Sequence, residues 1–328
     1  MMLPGIKEKD VFGKKVLVRA DLDVDDQPFR LEALKPTLEY LEQKQTKIIL
    51  VGHKGRPQGM DPNLSLREIC LRLGKVIGRE IEFRINLNET SEKDIVMYEN
   101  LRFNPGEELN DPEFSRSLAG LAEIYVNEAF AASHREHASI VGVPRLLPHV
   151  AGIRFRQEVE KLDQILKNPK KPVVFVISGF KKDKIDYLEP LSHRADSVLV
   201  AGRLPDYIEM QAFKLPSNVQ VASLNPDKED ITLNSIEKIE SEIKKAETVL
   251  LVGPIGKYEE EGHLNGTKRI FETVANLDGL KFAGGGDTQK VINKLGLAAK
   301  FSWISVGGGA MLEYLSKGTL PGIIALLN

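Results

Sequence analysis

The sequence predicts an α/β protein of two domains, each built on a parallel sheet with helices on both faces. Three observations carry that reading. Short apolar, β-rich runs alternate with helical stretches along the whole chain. Most of those runs are continuous rather than alternating, which marks strands buried on both faces. The chain is also long, at 328 residues, for a single hydrophobic core.

The strands are expected, in order, at Val16–Arg19, Lys47–Val51, Ile95–Met97, Ile124–Val126, Val173–Ile177, Ser197–Val200, Thr248–Val252, Leu280–Ala283 and Phe301–Val306. Helical spacing lies between several of them. Ile236, Ile239 and Ile243 fall at i, i+3 and i+7, with Asn234 and Ser235 as candidate N-caps. Residues Ile153–Lys167 read as a helix with Val159, Leu162 and Leu166 on one stripe, ending at Asn168-Pro169. Strand-rich sequence flanks that helix, so residues 153–168 are expected to connect an N-terminal domain (1–152) to a C-terminal one (169–315). The segment Lys214–Asp230 has the weakest pattern and is expected to be a surface stretch.

Composition narrows the class. With 42% hydrophobic and 28% charged residues the chain is an ordinary globular one, and its net charge of −2 gives no field to attract a nucleic-acid backbone. The single cysteine, Cys70, stands between Ile69 and Leu71 and reads as a core residue. One cysteine allows neither an internal disulfide nor a cysteine metal cage, and it fits a reducing compartment. Residues Met1–Asp10 hold no apolar run of signal-peptide length, and no stretch of membrane-spanning length occurs. A cytoplasmic monomer is expected.

The unusual residues gather at strand ends, where open α/β sheets bind ligands. In the first half these are Arg19-Ala20-Asp21-Leu22-Asp23, Gly52-His53-Lys54-Gly55-Arg56-Pro57, Glu99-Asn100-Leu101-Arg102-Phe103 and Asn127 through His137, which includes His134, Arg135 and His137. Arginines collected at one rim call for a polyanion, because unpaired guanidinium groups repel one another. The His134/His137 pair lacks a third ligand at suitable spacing for a metal, and His149, His193 and His263 have no partner pattern. In the second half the strand ends carry glycines: Ser178-Gly179-Phe180-Lys181-Lys182-Asp183-Lys184, Gly253-Pro254-Ile255-Gly256, Gly284-Gly285-Gly286-Asp287-Thr288 and Gly307-Gly308-Gly309-Ala310. Glycines let backbone N–H groups approach phosphate oxygens, and helix N-termini favour the same anions. Asp287 is placed to meet a magnesium ion carried by those phosphates. Neither a G-x-x-x-x-G-K-[ST] loop nor a G-x-G-x-x-G after a strand is present, nor the H-R-D and D-F-G pair of protein kinases.

In this order the clusters resemble the phosphoglycerate kinase family along nearly the whole chain. The match rests on His53-x-Gly55-Arg56-Pro57, Glu99 to Phe103, Tyr125-Val126-Asn127 through Ala138-Ser139, and the glycine runs at 284–288 and 307–310. Leu320-Pro321-Gly322 is similar to the family's C-terminal tail, so residues 316–328 are expected to return to the N-terminal domain. The resemblance implies two Rossmann-like domains with parallel sheets facing a central cleft, joined by a helix. It implies 3-phosphoglycerate or 1,3-bisphosphoglycerate on the N-terminal domain and ADP or ATP with Mg2+ on the C-terminal one. The reaction so implied is reversible phosphoryl transfer from 1,3-bisphosphoglycerate to ADP, giving 3-phosphoglycerate and ATP, in glycolysis and gluconeogenesis.

The resemblance also implies roles. His53, Arg56, Arg102 and Arg135 would grip the phosphoglycerate, with Asp21 and Asp23 beside it, and Arg30 would stabilise the moving phosphoryl group. Lys181 and Lys184 most nearly match the family's two phosphate lysines, with Lys182 an alternative to Lys181. The nucleotide would lie against Gly179, Lys184, Gly202, Gly253, Pro254, Gly285, Gly286, Thr288, Gly307 and Gly308, with Glu259 on the ribose and Asp287 on the metal. Four departures stand out. The family's Asp-Phe-Asn reads Asp21-Leu22-Asp23, which puts a carboxylate beside an anionic substrate unless it pairs with Arg19 or Lys54. The two lysines are one residue closer together. Val252 replaces an asparagine. The element at Gly202-Arg203-Leu204-Pro205-Asp206 differs, and a stretch between it and Thr248 is missing. The same residues leave two alternatives open, a non-catalytic phosphoglycerate-binding relative and a kinase for another small carboxylate.

Overall fold

The computed structural model of the protein describes residues 3–24, 28–89, 91–211 and 213–328. The chain divides into two compact units, one of Met1–Glu160 with Thr319–Asn328 and one of Lys161–Gly318. The division falls inside the helix Ile153–Lys167, whose bounds are those the sequence predicts. Its buried residues are Phe155, Glu158, Val159, Leu162 and Ile165, whereas Leu166, expected on the inward stripe, is half-buried.

The first unit holds strands β1 (Lys15–Arg19), β2 (Lys47–Val51), β3 (Glu82–Arg84), β4 (Ile95–Tyr98), β5 (Ile124–Asn127) and β6 (His149–Ala151). They form one parallel sheet in the order β3-β4-β2-β1-β5-β6. The second unit repeats the plan with β7 (Val173–Ile177), β8 (Ser197–Val200), β9 (Val219–Val221), β10 (Thr248–Val252), β11 (Leu280–Gly284) and β12 (Trp303–Ser305). Their order is β12-β11-β10-β7-β8-β9, again parallel throughout.

Burial follows the strand period. Val16 and Val18 face a core shared with Leu31, Leu34, Leu38 and Leu41 of the helix Phe29–Gln43 and with Ile69, Cys70 and Leu73 of the helix Arg67–Ile77. Leu17 points to the opposite face and is equally buried, which is why the run shows no alternation. In the second unit Ile236, Ile239 and Ile243 pack with Ile270, Phe271 and Val274 against Val174, Val176, Val249 and Leu251. Their helix is Leu233–Ile243, and its N-cap is Thr232, whose hydroxyl accepts the Ser235 N–H at 3.3 Å. Asn234 and Ser235, the caps expected from sequence, lie inside the first turn. The Ser235 hydroxyl is engaged elsewhere, accepting the Ser223 N–H at 2.8 Å.

Strands β3, β6 and β9 are not among those the sequence predicts, and each is a three-residue strand at a sheet edge. Strand β9 lies within the segment 214–230 and is largely exposed. Among the described residues no helix is long and apolar enough to cross a membrane.

Strand order reverses in the middle of each sheet. Strand β1 has β2 on one side and β5 on the other, and β7 lies likewise between β8 and β10. Loops leave those points on opposite sides and open a crevice beyond the carboxyl ends of the strands.

Just beyond β5, Glu128 is completely buried and caps the helix Ile153–Lys167. It accepts the Arg154 N–H at 3.0 Å and the Phe155 N–H at 2.8 Å, and the Thr37 hydroxyl donates to it as well. Burial raises its carboxyl from 4.5 to about 7 against the pull of those donors. The native pKa therefore exceeds the unfolded one. The associated stability is fully present below about 4.5 and is lost as pH rises through about 7, a range of roughly 3 kcal/mol. Denaturant midpoints measured from pH 5 to 8 should fall in the wild type and be flatter in Glu128→Gln. Parallel slopes in the two proteins would remove Glu128 as the source.

Candidate functional site

Strand β1 ends in Arg19, whose guanidinium is fully buried. Its Nε donates to Ser139 Oγ at 2.7 Å, Nη1 donates to the Ala20 carbonyl at 2.5 Å, and Nη2 lies 2.7 Å from His53 Nδ1. Ser139 passes the contact on, its hydroxyl donating to Glu107 Oε1 at 2.6 Å and its N–H to Oε2 at 3.0 Å. Glu107 has no solvent exposure, and His137 Nδ1 is 3.7 Å from Oε1. Burial by itself would raise the Glu107 carboxyl. The His137 imidazole, the Arg19 charge and the two Ser139 donors outweigh it and hold the group below its ordinary value. A charge pair bridged by one serine hydroxyl thus lies under the β1–β5 crevice.

The residues expected to hold an anion stand around this pair. Asp21 is 3% exposed, its Oδ2 lies 3.5 Å from Arg30 Nε, and burial raises its pKa while Arg30 lowers it. Arg30, in the first turn of the helix Phe29–Gln43, donates Nη1 to the Asp23 carbonyl at 2.5 Å. Asp23 pairs with neither Arg19 nor Lys54. Its Oδ1 accepts the Gly55 N–H at 2.9 Å, and Lys54 Nζ donates instead to the Asn63 carbonyl at 3.0 Å. Asp23 therefore fixes the loop that carries His53 and Arg56. Gly55 turns that loop with φ +65°, a left-handed conformation.

Arg56 is exposed, and Arg135 is half-buried with its Nη1 buried and, among the described residues, without a hydrogen-bond partner. Burial and then the neighbouring Arg56 charge lower the Arg135 pKa, which puts the two guanidinium groups in one field. Arg102 is largely engaged within the protein, its Nη1 donating to the Gly55 carbonyl and its Nε 3.0 Å from Glu108. His53 is 3% exposed, and its pKa is pushed well below 6.5 by burial and then by Arg19, Arg135, His137 and Arg30. A concavity of about 590 Å³ between residues 144–149 and the helix Pro321–Leu327 shares none of these residues.

The second unit builds its rim from backbone. Gly253, at the end of β10, has φ +92°, and a Cβ there would collide with the Ser178 carbonyl at the end of β7. A Cβ on Gly202 would likewise strike the Gly179 backbone. Ser178 Oγ donates to the Pro254 carbonyl at 2.6 Å, the Gly253 N–H donates to Thr288 Oγ1 at 2.7 Å, and the Thr288 hydroxyl donates to the Gly284 carbonyl at 2.8 Å. Gly285 and Gly308 are in close backbone approach. Strand ends β7, β8, β10, β11 and β12 are thereby drawn into one ring. The helices Gly286–Lys294 and Gly308–Lys317 start from it, the second with Gly307 as its N-cap.

Lys184 Nζ donates to the Ser178 carbonyl, beside Gly179 and Gly253. Burial lowers its pKa to about 8, against the opposing charges of Asp287 and Asp183 and with that of Lys181. Lys181 and Lys182 are both exposed, and Lys181 is the one whose charge acts on Lys184. Gly286 and Asp287 are exposed on the first turn of their helix. Glu259 is exposed in the segment after β10, and no hydrogen bond or ion pair among the described residues ties it to the glycine ring.

The structure adds Glu107, Ser139 and Ser178 to the residues that organise the two rims, together with the buried contacts of Arg19. Arg19 and Ser178 stand directly at strand ends, which is a signal the sequence does carry. Glu107 and Ser139 sit away from strand ends, and their part becomes visible only through the partner they meet.

The phosphoglycerate kinase family model matches residues 6–212 and 206–318. The phosphoglycerate kinase of Dictyoglomus turgidum is 34% identical over 387 aligned positions, covering 98% of this chain and 97% of its own. That of Borreliella afzelii is 33% identical over 393 positions, covering 99% of this chain and 100% of its own. Among solved structures, the phosphoglycerate kinase from Coxiella burnetii is similar at a TM-score of 0.81 and 25% identity, covering 99% of both chains. The one from Pyrococcus horikoshii OT3 has the same fold at a TM-score of 0.86 and 23% identity, covering 100% of this chain and 98% of its own. The aligned lengths exceed the 328 residues present here, so those relatives carry residues that this chain lacks. The two family-model segments meet at residues 206–212, directly after Gly202-Arg203-Leu204-Pro205-Asp206, where the sequence predicts a missing stretch.

The depressed Lys184 pKa gives a test of the glycine ring. An anion bound beside it favours the ammonium form, so binding at a pH near or above 8 must take up protons. Calorimetric binding heats for ADP at pH 8.5 should vary with the ionisation enthalpy of the buffer, and Lys184→Arg should abolish that dependence. Heats independent of buffer in the wild type would place the bound phosphates away from Lys184.

Proposed function

The chain belongs to the phosphoglycerate kinase family and is a phosphotransferase, and we propose how its residues divide that activity between the two units. The rim at β1 and β5 takes the phosphoglycerate, and the glycine ring at β7 and β10 takes ADP or ATP. One observation carries this assignment. Arg30, Arg56, Arg135 and His53 gather at the crevice of the first sheet, while buried Glu107 is held by Ser139 and Glu108 pairs with Arg102. Arg56 and Arg135, which share one field there, suit a small substrate bearing several negative charges.

The chemistry asks little of acid–base groups. The acceptor oxygen of 3-phosphoglycerate belongs to a carboxylate, which is ionised at neutral pH, so no general base has to activate it. Positioning and charge neutralisation do the rest. Arg56 and Arg135 hold the fixed phosphate, Arg102 supports the loop beneath them through the Gly55 carbonyl, and Asp21 receives the substrate hydroxyl. Arg30 is tethered at the Asp23 carbonyl and turns toward Asp21, the place for a group that meets the phosphoryl as it moves.

In the second unit Gly285, Gly286 and Gly308 present backbone N–H groups to phosphate oxygens, Gly253 and Gly307 shape the ring whose own hydroxyls take their N–H groups, and Lys184 adds an ammonium. Mg2+ bound with nucleotide ordinarily takes one or two protein carboxylates and fills its other positions with phosphate and water. Asp287, exposed on the first turn of its helix beside the ring, suits that requirement. When bound, the ion would neutralise charge on the nucleotide phosphates. Family resemblance further implies a monomer working in the cytoplasm in glycolysis and gluconeogenesis.

A coupled assay with 3-phosphoglycerate and MgATP tests the assignment. Arg30→Ala should lower kcat by at least about a hundredfold with little change in KM for phosphoglycerate, since its contact tightens as the phosphoryl group moves. Arg56→Ala should chiefly raise that KM. Tight binding of both substrates without turnover in the wild type would instead identify a non-catalytic relative.

Asp23 supplies a second check. Asparagine can keep the acceptor for the Gly55 N–H while removing a negative charge near the bound anion. Asp23→Asn should therefore tighten 3-phosphoglycerate binding by about tenfold, or ~1.4 kcal/mol. Weaker binding would favour a kinase for a different carboxylate.

A further inference from the structure

A guanidinium group carries five N–H donors and no acceptor. The nitrogen that faces Arg19 Nη2 at 2.7 Å must therefore offer a lone pair, and that nitrogen is His53 Nδ1. We propose that Arg19 is a positioning residue that fixes His53 as the neutral tautomer with its proton on Nε2, making it an oriented hydrogen-bond donor rather than a titrating cation in the anion rim.

Arg19 is equipped to impose this. Its other two contacts, to Ser139 Oγ and the Ala20 carbonyl, leave the guanidinium no freedom to rotate away, and the residue has no solvent exposure. Its charge is held through the Ser139 hydroxyl by Glu107, which is equally buried. The ionised state of Arg19 is thus compensated inside the protein and needs no ligand. The charged and titratable groups facing His53 are Arg19 from β1, Arg30 from the helix Phe29–Gln43, and Arg135 and His137 from the loop after β5. Burial and these positive charges oppose protonation of the ring, while the Asp21 and Glu107 carboxylates stand behind them, against Arg30 and His137. A second proton would also have to occupy Nδ1, directly against the guanidinium.

A cationic histidine would attract any anion, whereas a neutral Nε2–H pinned at Nδ1 selects by direction. The rim then owes its positive charge to arginines, which do not titrate in the working range, and His53 contributes geometry. The consequence for phosphoglycerate rests on the proposed function; the tautomer does not.

Long-range proton–nitrogen correlation spectra of the ¹⁵N-labelled protein read the tautomer directly, with His53 signals identified by their absence in His53→Gln. The wild type should give an Nε2–H ring whose signals stay unchanged from pH 8 to 5.5. An Nδ1–H ring, or a ring protonated on both nitrogens at pH 6.5, would overturn the proposal without recourse to any variant. In Arg19→Met the ring should become a tautomer mixture and titrate nearer the ordinary histidine value of about 6.5. In Arg19→Lys, which keeps a donor without an acceptor, the Nε2–H form should persist. Unchanged His53 signals in a folded Arg19→Met protein would also count against Arg19. Adding 3-phosphoglycerate should shift the Nε2 resonance. An Nε2–H tautomer that ignores the ligand would uphold the role of Arg19 while placing the substrate elsewhere.

Discussion

A guanidinium with no access to water has to be neutralised and hydrogen-bonded within the protein, and the first unit is arranged around that demand. Isolated, such a charge would cost several kcal/mol. Arg19 sits at the end of a central strand, so its partners must come from elsewhere in the chain, and each brings a loop with it. Ser139 brings the segment after β5, Glu107 the short helix Pro105–Glu108, and His53 the turn after β2. The residues proposed to hold the substrate stand on those same segments: Arg135 precedes Ser139, Arg102 precedes Glu107, and Arg56 follows His53. Satisfying one buried charge therefore positions the loops that carry the exposed ones. Two acids on these segments are engaged within the first unit, Glu107 by Ser139 and Glu108 by Arg102.

The second unit meets a related task by different means. Its ring is held by backbone contacts and by two hydroxyls, Ser178 and Thr288, with Lys184 as the ammonium turned onto the Ser178 carbonyl. Glycine is required where β10 passes β7, since any side chain at 253 would occupy the Ser178 carbonyl. Main-chain donors at helix starts suit a chain of phosphates, whose oxygens are numerous and whose charge can be shared with a metal ion. A small sugar-acid phosphate offers fewer oxygens and is better held by forked, fixed cations. The division between arginine and glycine in the two halves of the sequence thus fits the ligand proposed for each rim.

Much of this arrangement is legible in the amino-acid sequence, for a definite reason. Central strands such as β1, β2, β7 and β10 are buried on both faces, so their sequences are uninterrupted apolar runs with clear bounds. The edge strands β3, β6 and β9 are three residues long and partly exposed, and a run of that length carries no period. Strand-end clusters can be read because the apolar runs have clear ends and open α/β sheets bind ligands just beyond them. The contacts of Arg19 cannot, since Ser139 lies 120 residues away and periodicity says nothing about pairing at that distance. Asp23 shows a subtler limit: its charge is visible in the sequence, but its use as an acceptor for the Gly55 N–H depends on a turn that only the folded chain forms.

The departure at Val252 is explained by the same reasoning. An asparagine at the end of β10 would bring an amide to the nucleotide rim, and valine cannot. Yet position 252 is 1% exposed and is paired with Ile177 of β7 and Gly284 of β11. An amide there would need its own hydrogen bonds in a dry sheet, or would cost about 1–3 kcal/mol if left without them. Valine gains instead roughly 1.5–3 kcal/mol from burial. The polar contacts at that strand end are already made one residue on, by the Gly253 N–H to Thr288 and by Ser178 to the Pro254 carbonyl. The ring therefore closes without a side-chain amide. By the family resemblance the substitution removes a contact to the proposed nucleotide, and the architecture of the ring is intact.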